Sequence, residues 1–311
     1  MGTMGKNTGK SKKKKRNPIP IVILAAFMVM FVFSAVMLAR ELLQAKEEAD
    51  SFNELSSIKQ LAVGGTATKA VRTARPIAGP TPQVSGDAAA QPAQGAGIEA
   101  PNAAGEPSGS AEDGEPSKRT MLPQYAKLYE QNPELFGWIT IPDTNIDYPV
   151  MHSPSRPNFY LSHDFYGAHA AMGVPYMDED CDPDGKIFLV YGHHPSLGTM
   201  FSHIIDYEDK AFWETHQEIY FDTLYEERLY VVAIAMRARV LDKGEENGFR
   251  YYQYTSLNMP EIFEEYMSQA KERARYDTGI DVSYGDELLV LSTCYHYTRN
   301  GRFVLIAKRV E

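Results

Sequence analysis

The chain holds two cysteines, Cys181 and Cys294, in 311 residues. Cys294 ends the apolar run "ELLVLSTC", and a strand end both fixes a side chain and leaves it reachable. A free thiol has a pKa of about 8.5, so a nucleophilic cysteine needs a base or a cation beside it. The competing reading is a small buried core residue, the commoner fate of a lone cysteine. Arg302 stands across a turn signal, Asn300-Gly301, and opens the last apolar run, "RFVLIAKRV". Such a turn makes the two runs neighbouring antiparallel strands and brings Arg302 within reach of Cys294. A guanidinium there could orient a carbonyl or stabilise a tetrahedral oxyanion. Arg299, inside the turn, fits a plain surface role better.

A base must come from one of eight histidines. In "IFLVYGHHPSLGTMF", His193 follows an apolar strand and Gly192, and His194 comes next, where Pro195 starts a turn. This strand-end placement mirrors that of Cys294. Two strand ends on one side of a barrel can bring a histidine to a distant cysteine, as thiol chemistry requires. His296, two residues past Cys294, is poorly placed to aim at it. His203 and His216 lie in a region of helix or loop character, and His152, His163 and His169 lie in polar loops.

These residues need elements to position them. The runs "WITI", "YPVM", "KIFLVYG", "EIYFDT", "RLYVVAIAMRARV", "ELLVLSTC" and "RFVLIAKRV" read as strands. So many short strands with few helices predict a mostly β domain, a barrel or sandwich, over residues 120–311. A short helical pattern opens it at Tyr125, Leu128 and Tyr129 and stops before Pro133. A longer helix follows Pro260, with Ile262, Phe263, Tyr266, Met267 and Ala270 on one face to pack on the strands.

The N-terminal third has a different character. Residues 1–16 carry seven positive charges, Lys6, Lys10, Lys12, Lys13, Lys14, Lys15 and Arg16, although the whole chain has a net charge of −10. A short basic run at one end of an acidic chain does not read as a nucleic-acid-binding domain. No charge occurs from Asn17 to Ala39, 23 residues, and about 20 helical residues span a bilayer. This predicts an uncleaved transmembrane helix over 17–39, because a signal peptide has a shorter apolar core of about 7–15 residues. The basic tail then stays cytoplasmic and the rest lies outside the cell. Residues 40–63 have helical spacing and continue the helix outward. Residues 64–119 are rich in Ala, Pro, Gly, Thr and Ser, too poor in large apolar groups to fold, and predict a disordered linker spanning roughly 40 Å.

A Cys181–Cys294 disulfide remains open in an exported chain. The stretch Asp180–Gly185, "DCDPDG", begins like a calcium loop, but its twelfth position is Tyr191 and Pro183 interrupts it, so an acidic turn is the better reading. Cys294, His296 and His193 fit no standard zinc spacing.

"LSTC" closing a strand, an arginine opening the next, and a distant "YGH" strand end together resemble the sortases, membrane-anchored cysteine transpeptidases of Gram-positive bacteria. "GWITIPDTNIDYPVM", "NFYLSHDFYG", "YGHHPSLGTMFSHI" and the helix before the last strands resemble class B sortases in particular. The resemblance covers Trp138 to Val310 and implies a sortase-type closed β-barrel of about eight strands. It implies Cys294 as nucleophile, His193 as general acid/base, and Arg302 as the substrate-orienting, oxyanion-stabilising residue. Ser292 and Thr293 would contact substrate or shape the oxyanion site. The implied reaction cleaves a C-terminal sorting signal, of the Asn-Pro-x-Thr-x kind in class B, after threonine. The acyl group then passes through a thioester to an amine of the cell wall or of a pilin, without metal or organic cofactor. The alternatives are a secreted cysteine peptidase that only hydrolyses and an inactive sortase-like binding module.

Overall fold

The computed structural model describes residues 19–62, 119–195, 198–245 and 247–311. The basic tail 1–16 and all but the last residue of the linker expected over 64–119 lie outside the described residues, as do Asn17 and Pro18. The chain divides into two compact units, Met1–Ser51 and Phe52–Glu311.

In the first unit, helix α1 begins at Ile19; the helix as a whole runs to Leu61. The transmembrane helix expected over 17–39 is not found as such: among the described residues, no helix is long and apolar enough to cross a membrane. The start of that span lies outside the described residues, and the described part runs without a break into the charged stretch from Arg40.

The second unit contains eight strands: β1 Leu135–Thr140, β2 Asp147–Met151, β3 Tyr176–Met177, β4 Ile187–Gly192, β5 Glu218–Thr223, β6 Leu229–Arg239, β7 Leu288–Cys294 and β8 Gly301–Arg309. They close into a barrel in the order β1-β2-β3-β4-β7-β8-β6-β5, with β5 pairing back onto β1. Seven of these strands are the apolar runs of the sequence. The eighth, β3, is two residues long and carries no alternation to read.

The central pairing is β4 with β7, which run parallel. Parallel neighbours need a long crossover, and here it carries α3 (Lys210–Thr215), β5, β6 and α4 (Pro260–Glu272). On its other side β7 pairs antiparallel with β8. Residues 288–293 of β7 are all buried, which explains the unbroken apolar run. Helix α4 starts with Pro260 in its first turn and Glu261 near its N-terminus, and it buries Phe263, Tyr266, Met267 and Ala270 as the spacing predicts. The short helix α2, Pro123–Gln131, buries Tyr125 and Leu128.

The last turns of α1 belong to this second unit as well. Leu55 is wholly buried, and the Phe52 ring meets Tyr148 edge-on at 4.9 Å. Lys59 pairs with Asp147 at 2.9 Å and lies over the Trp138 ring at 4.1 Å. Asp147 also accepts from Ser56, Thr140 and the Trp138 indole. A domain start near Thr120 therefore leaves out a segment that packs with the barrel.

Candidate active site

The parallel register of β4 and β7 pairs Tyr191 with Ser292 and Gly192 with Thr293. The Thr293 hydroxyl donates to the Gly192 carbonyl at 2.8 Å, pinning the ends together. One step further along each strand stand His193 and Cys294. Parallel strands end on the same side of a sheet, so these two leave it side by side. On the other side of β7, Cys294 is the register partner of Arg302. The three residues singled out by the sequence thus meet at one end of the barrel.

Gly192 is glycine for a steric reason. A Cβ there would lie 2.5 Å from the ring of Phe201, which is wholly buried. The Phe201 N–H donates to the His193 carbonyl at 2.9 Å, so the histidine backbone is fixed from the loop that follows it. The His193 ring pairs through Nε2 with the Leu161 carbonyl at 2.8 Å. Leu161 ends the 3-10 segment Phe159–Leu161, which passes so close to Gly173 that a Cβ there would meet the Leu161 carbonyl oxygen at 2.7 Å. His194 points elsewhere: its Nδ1 lies 3.2 Å from the Cys294 carbonyl oxygen. The two adjacent histidines thus hold different parts of the site.

Cys294 is a free, half-buried thiol. Cys181, also free, is buried among core residues, and burial pushes its thiol up to about 12. The open disulfide question thus resolves to two unpaired cysteines, of which Cys294 is the reachable one. Arg302 is half-buried and donates to the Gly301 carbonyl at 2.9 Å. Asn300 adopts a left-handed conformation with φ 55°. The connection is longer than a two-residue turn, since Tyr295 to Asn300 all lie between the strands, but the pairing it sets up is the expected one.

Ser292 and Thr293 are each 1% exposed. Their hydroxyls are committed inward, Thr293 to Gly192 and Ser292 to the Tyr251 hydroxyl at 2.8 Å. Burial raises the Tyr251 hydroxyl to about 12, against the opposing effects of the Ser292 bond and the Arg302 charge. Tyr176 is raised too, first by burial and then by Glu179 and Asp178, while Arg302 opposes the rise. Both phenols therefore stay neutral and form walls close to the cysteine and arginine. Sequence reading missed them, along with Leu161, because a main-chain acceptor and a core tyrosine leave no spacing signal.

The other histidines do not join the cluster. His296 is exposed in the loop after β7. His163 stacks on Phe159, His216 on Phe212, and His203 pairs with Asp206. His152 is half-buried near Phe136, and its burial lowers its pKa. His169 bridges His163. In the acidic stretch, Gly185 closes a tight turn onto Asp182, and among the described residues no group of His, Cys, Asp and Glu could hold a metal ion.

A cysteine, a histidine and an arginine brought to one rim by the strand register form a set suited to acyl transfer through a covalent intermediate. Comparison with known proteins points the same way. A sortase-domain family profile matches residues 139–310. Sortase B of Staphylococcus aureus is 27% identical over 196 residues, covering 61% of this chain and 76% of that protein. Sortase B of Listeria monocytogenes is 30% identical over 172 residues, covering 54% and 65% respectively. Among solved structures, a Staphylococcus aureus sortase B–substrate complex matches with a TM-score of 0.54 at 27% identity, covering 61% of this chain and 86% of that one. Clostridium perfringens sortase B matches with a TM-score of 0.54 at 25% identity, covering 60% and 98%. The fold, the rim cluster and these relatives agree, and the chain belongs to the sortase family, in its class B branch, as a cysteine transpeptidase.

Proposed function

We propose that this chain cleaves a C-terminal sorting signal after threonine and transfers the protein to an amine of the cell wall or of a pilin, with Cys294, His193 and Arg302 as its catalytic residues. The observation that supports this reading is the register that pairs Gly192 with Thr293, one residue before His193 and Cys294, and pairs Cys294 with Arg302. The Cys294 sulfur attacks the threonine carbonyl. Arg302 holds the oxygen as it gains charge. As the C–N bond breaks, His193 gives its proton to the leaving amine, leaving a thioester. The acceptor amine then attacks the thioester carbon, His193 takes up its proton, and the C–S bond breaks to restore the thiolate. Leu161 occupies His193 Nε2, so Nδ1 is the nitrogen this reading assigns to proton transfer. Ser292 and Thr293 serve by shaping the floor under the thiol.

Sorting-signal proteins and an amine acceptor are the partners this reading assigns, in keeping with the substrate complex solved for the Staphylococcus aureus relative. The reading also includes a single N-terminal membrane anchor with the catalytic domain outside the cell. Its support is the uncharged run 17–39 behind a basic tail, together with the exposure of Phe27, Met28, Val29, Met30, Phe31, Val32 and Phe33 in succession. Seven consecutive positions cover more than a full helical turn, so apolar surface faces every direction, as in a membrane span.

The test is transfer from Asn-Pro-x-Thr-x peptides to an added amine, with mass spectrometry for the thioacyl adduct. Cys294→Ala should abolish adduct and product. His193→Ala should cost about 10²–10⁴-fold in kcat, and Arg302→Ala about 10²–10³-fold, each with an unchanged melting temperature. Activity surviving Cys294→Ala would sink the mechanism, and cleavage indifferent to any amine would point to a peptidase.

A further inference from the structure

The 3-10 segment Ser202–Glu208 touches the site at both of its ends. At its start, Phe201 caps the segment and holds the His193 carbonyl. At its end, the Glu208 carboxylate accepts a short hydrogen bond from the hydroxyl of Tyr295, the residue directly after Cys294. Between these ends, Ile204 and Tyr207 are wholly buried, and the Tyr207 hydroxyl donates to the His216 carbonyl at 2.6 Å. The segment is therefore rooted in the core and cannot slide.

Glu208 is also the centre of a charge cluster. It pairs with Arg237 of β6 at 2.5 Å and with Arg275, beyond α4, at 3.0 Å. The Arg237 guanidinium lies 5.6 Å from the Tyr295 ring centre and 5.2 Å from that of Tyr297. Tyr297 donates to the Ala238 carbonyl at 2.7 Å, and the Tyr295 N–H to that of Gly301 at 3.0 Å. The loop between Cys294 and Arg302 is thus gripped from below by one carboxylate and one arginine. The Tyr295 hydroxyl is held above its ordinary pKa, first by its bond to Glu208, and remains a donor at neutral pH.

We propose that Glu208 is a positioning residue: through Tyr295 and Arg237 it fixes the cysteine loop to the same rigid segment that fixes His193, and so sets the thiol–imidazole geometry. None of these side chains touches the reacting atoms. Their effect belongs in the turnover step, because a small misplacement of reacting groups lowers rate without weakening substrate binding. The proposal rests on the assignment of Cys294 and His193 above.

The experiment uses the full chain in detergent, Asn-Pro-x-Thr-x peptides and hydroxylamine as the acceptor, with Cys294→Ala alongside. Glu208→Gln and Tyr295→Phe, the latter keeping the ring and losing only the hydroxyl, should each lower kcat about tenfold and leave KM within twofold. The double variant should be no slower than the worse single, because both break one connection. Melting temperatures should stay close to that of the unaltered chain. An unchanged kcat in either single variant, losses that multiply in the double, or a KM rise with a matching fall in stability would overturn the proposal. Activity in Cys294→Ala, or none in the unaltered chain, would instead overturn the site assignment beneath it.

Discussion

Gly192 shows how tightly single positions are set at this rim. The Phe201 ring fills the space where a Cβ would sit, 2.5 Å away, and the same residue's N–H holds the His193 carbonyl. Gly192→Ala must push the ring or the backbone aside. Overpacking of this kind costs about 1–3 kcal/mol, and the displaced atoms lead straight to His193. The expected outcome is a lower melting temperature with a fall in kcat larger than stability explains, read by calorimetry and peptide transfer; unchanged kcat would detach Phe201 from His193. At this scale the placement of residues at strand ends was legible. Cys294, His193 and Arg302 each stand where an apolar run meets a polar turn, and a strand end is visible in sequence. Tyr295 and Glu208 were not, because they meet across the fold with no shared periodicity. The inward commitment of Ser292 and Thr293 was hidden for a related reason: a hydroxyl reads the same whether it faces substrate or a core tyrosine.

Among the elements, strands long enough to show an apolar run were read and β3 was not, since two residues give no pattern. Helix α4 was legible from its apolar spacing and its Pro260 start. The docking of the end of α1 was not, because "RELLQAKEEADSFNELSSIKQL" looks like any charged helix until Leu55 and Lys59 find partners on the barrel. Burial alone would raise the Asp147 carboxyl, but the charge and bond of Lys59, with bonds from Trp138 and Ser56, outweigh it and hold its pKa below 3.8. A carboxyl with a depressed folded pKa contributes stability above its unfolded value and loses it as pH falls through the folded one. The pair keeps some solvent contact, with side chains 17% and 37% exposed, so its worth is at most about 1 kcal/mol. Lys59→Ala should therefore destabilise the full chain by up to that amount at pH 7. The difference should shrink as pH falls below 3.8, in urea melts at a series of pH values. A pH-independent difference would mean that the Lys59 stem, lying over Trp138, matters more than its charge.

For the whole molecule, the end of α1 bears on where the enzyme's working part begins. A sequence reading puts a tether between the anchor and a domain starting near Thr120. Yet Phe52–Leu61 packs with the barrel, and on the far side of the linker Leu122 donates to the Leu224 carbonyl at 2.7 Å. The described residues on both sides of the expected linker, up to Ala62 and from Arg119, thus belong to the same compact unit. Two truncations separate the proposed anchor from this dock. A chain lacking residues 1–45 loses the uncharged run but keeps Phe52, Leu55 and Lys59. It should leave the membrane fraction, in which the full chain is expected to resist alkaline carbonate, and should keep its transfer rate and melting temperature. A chain beginning at Arg119 loses the dock as well. Leu55 alone is wholly buried, and uncovering the surface beneath one such side chain costs roughly 2 kcal/mol. The shorter chain should melt lower by that much or more, while its rim residues stay in place. Equal stability of the two truncations would return the end of α1 to the role of spacer, and carbonate release of the full chain would remove the anchor.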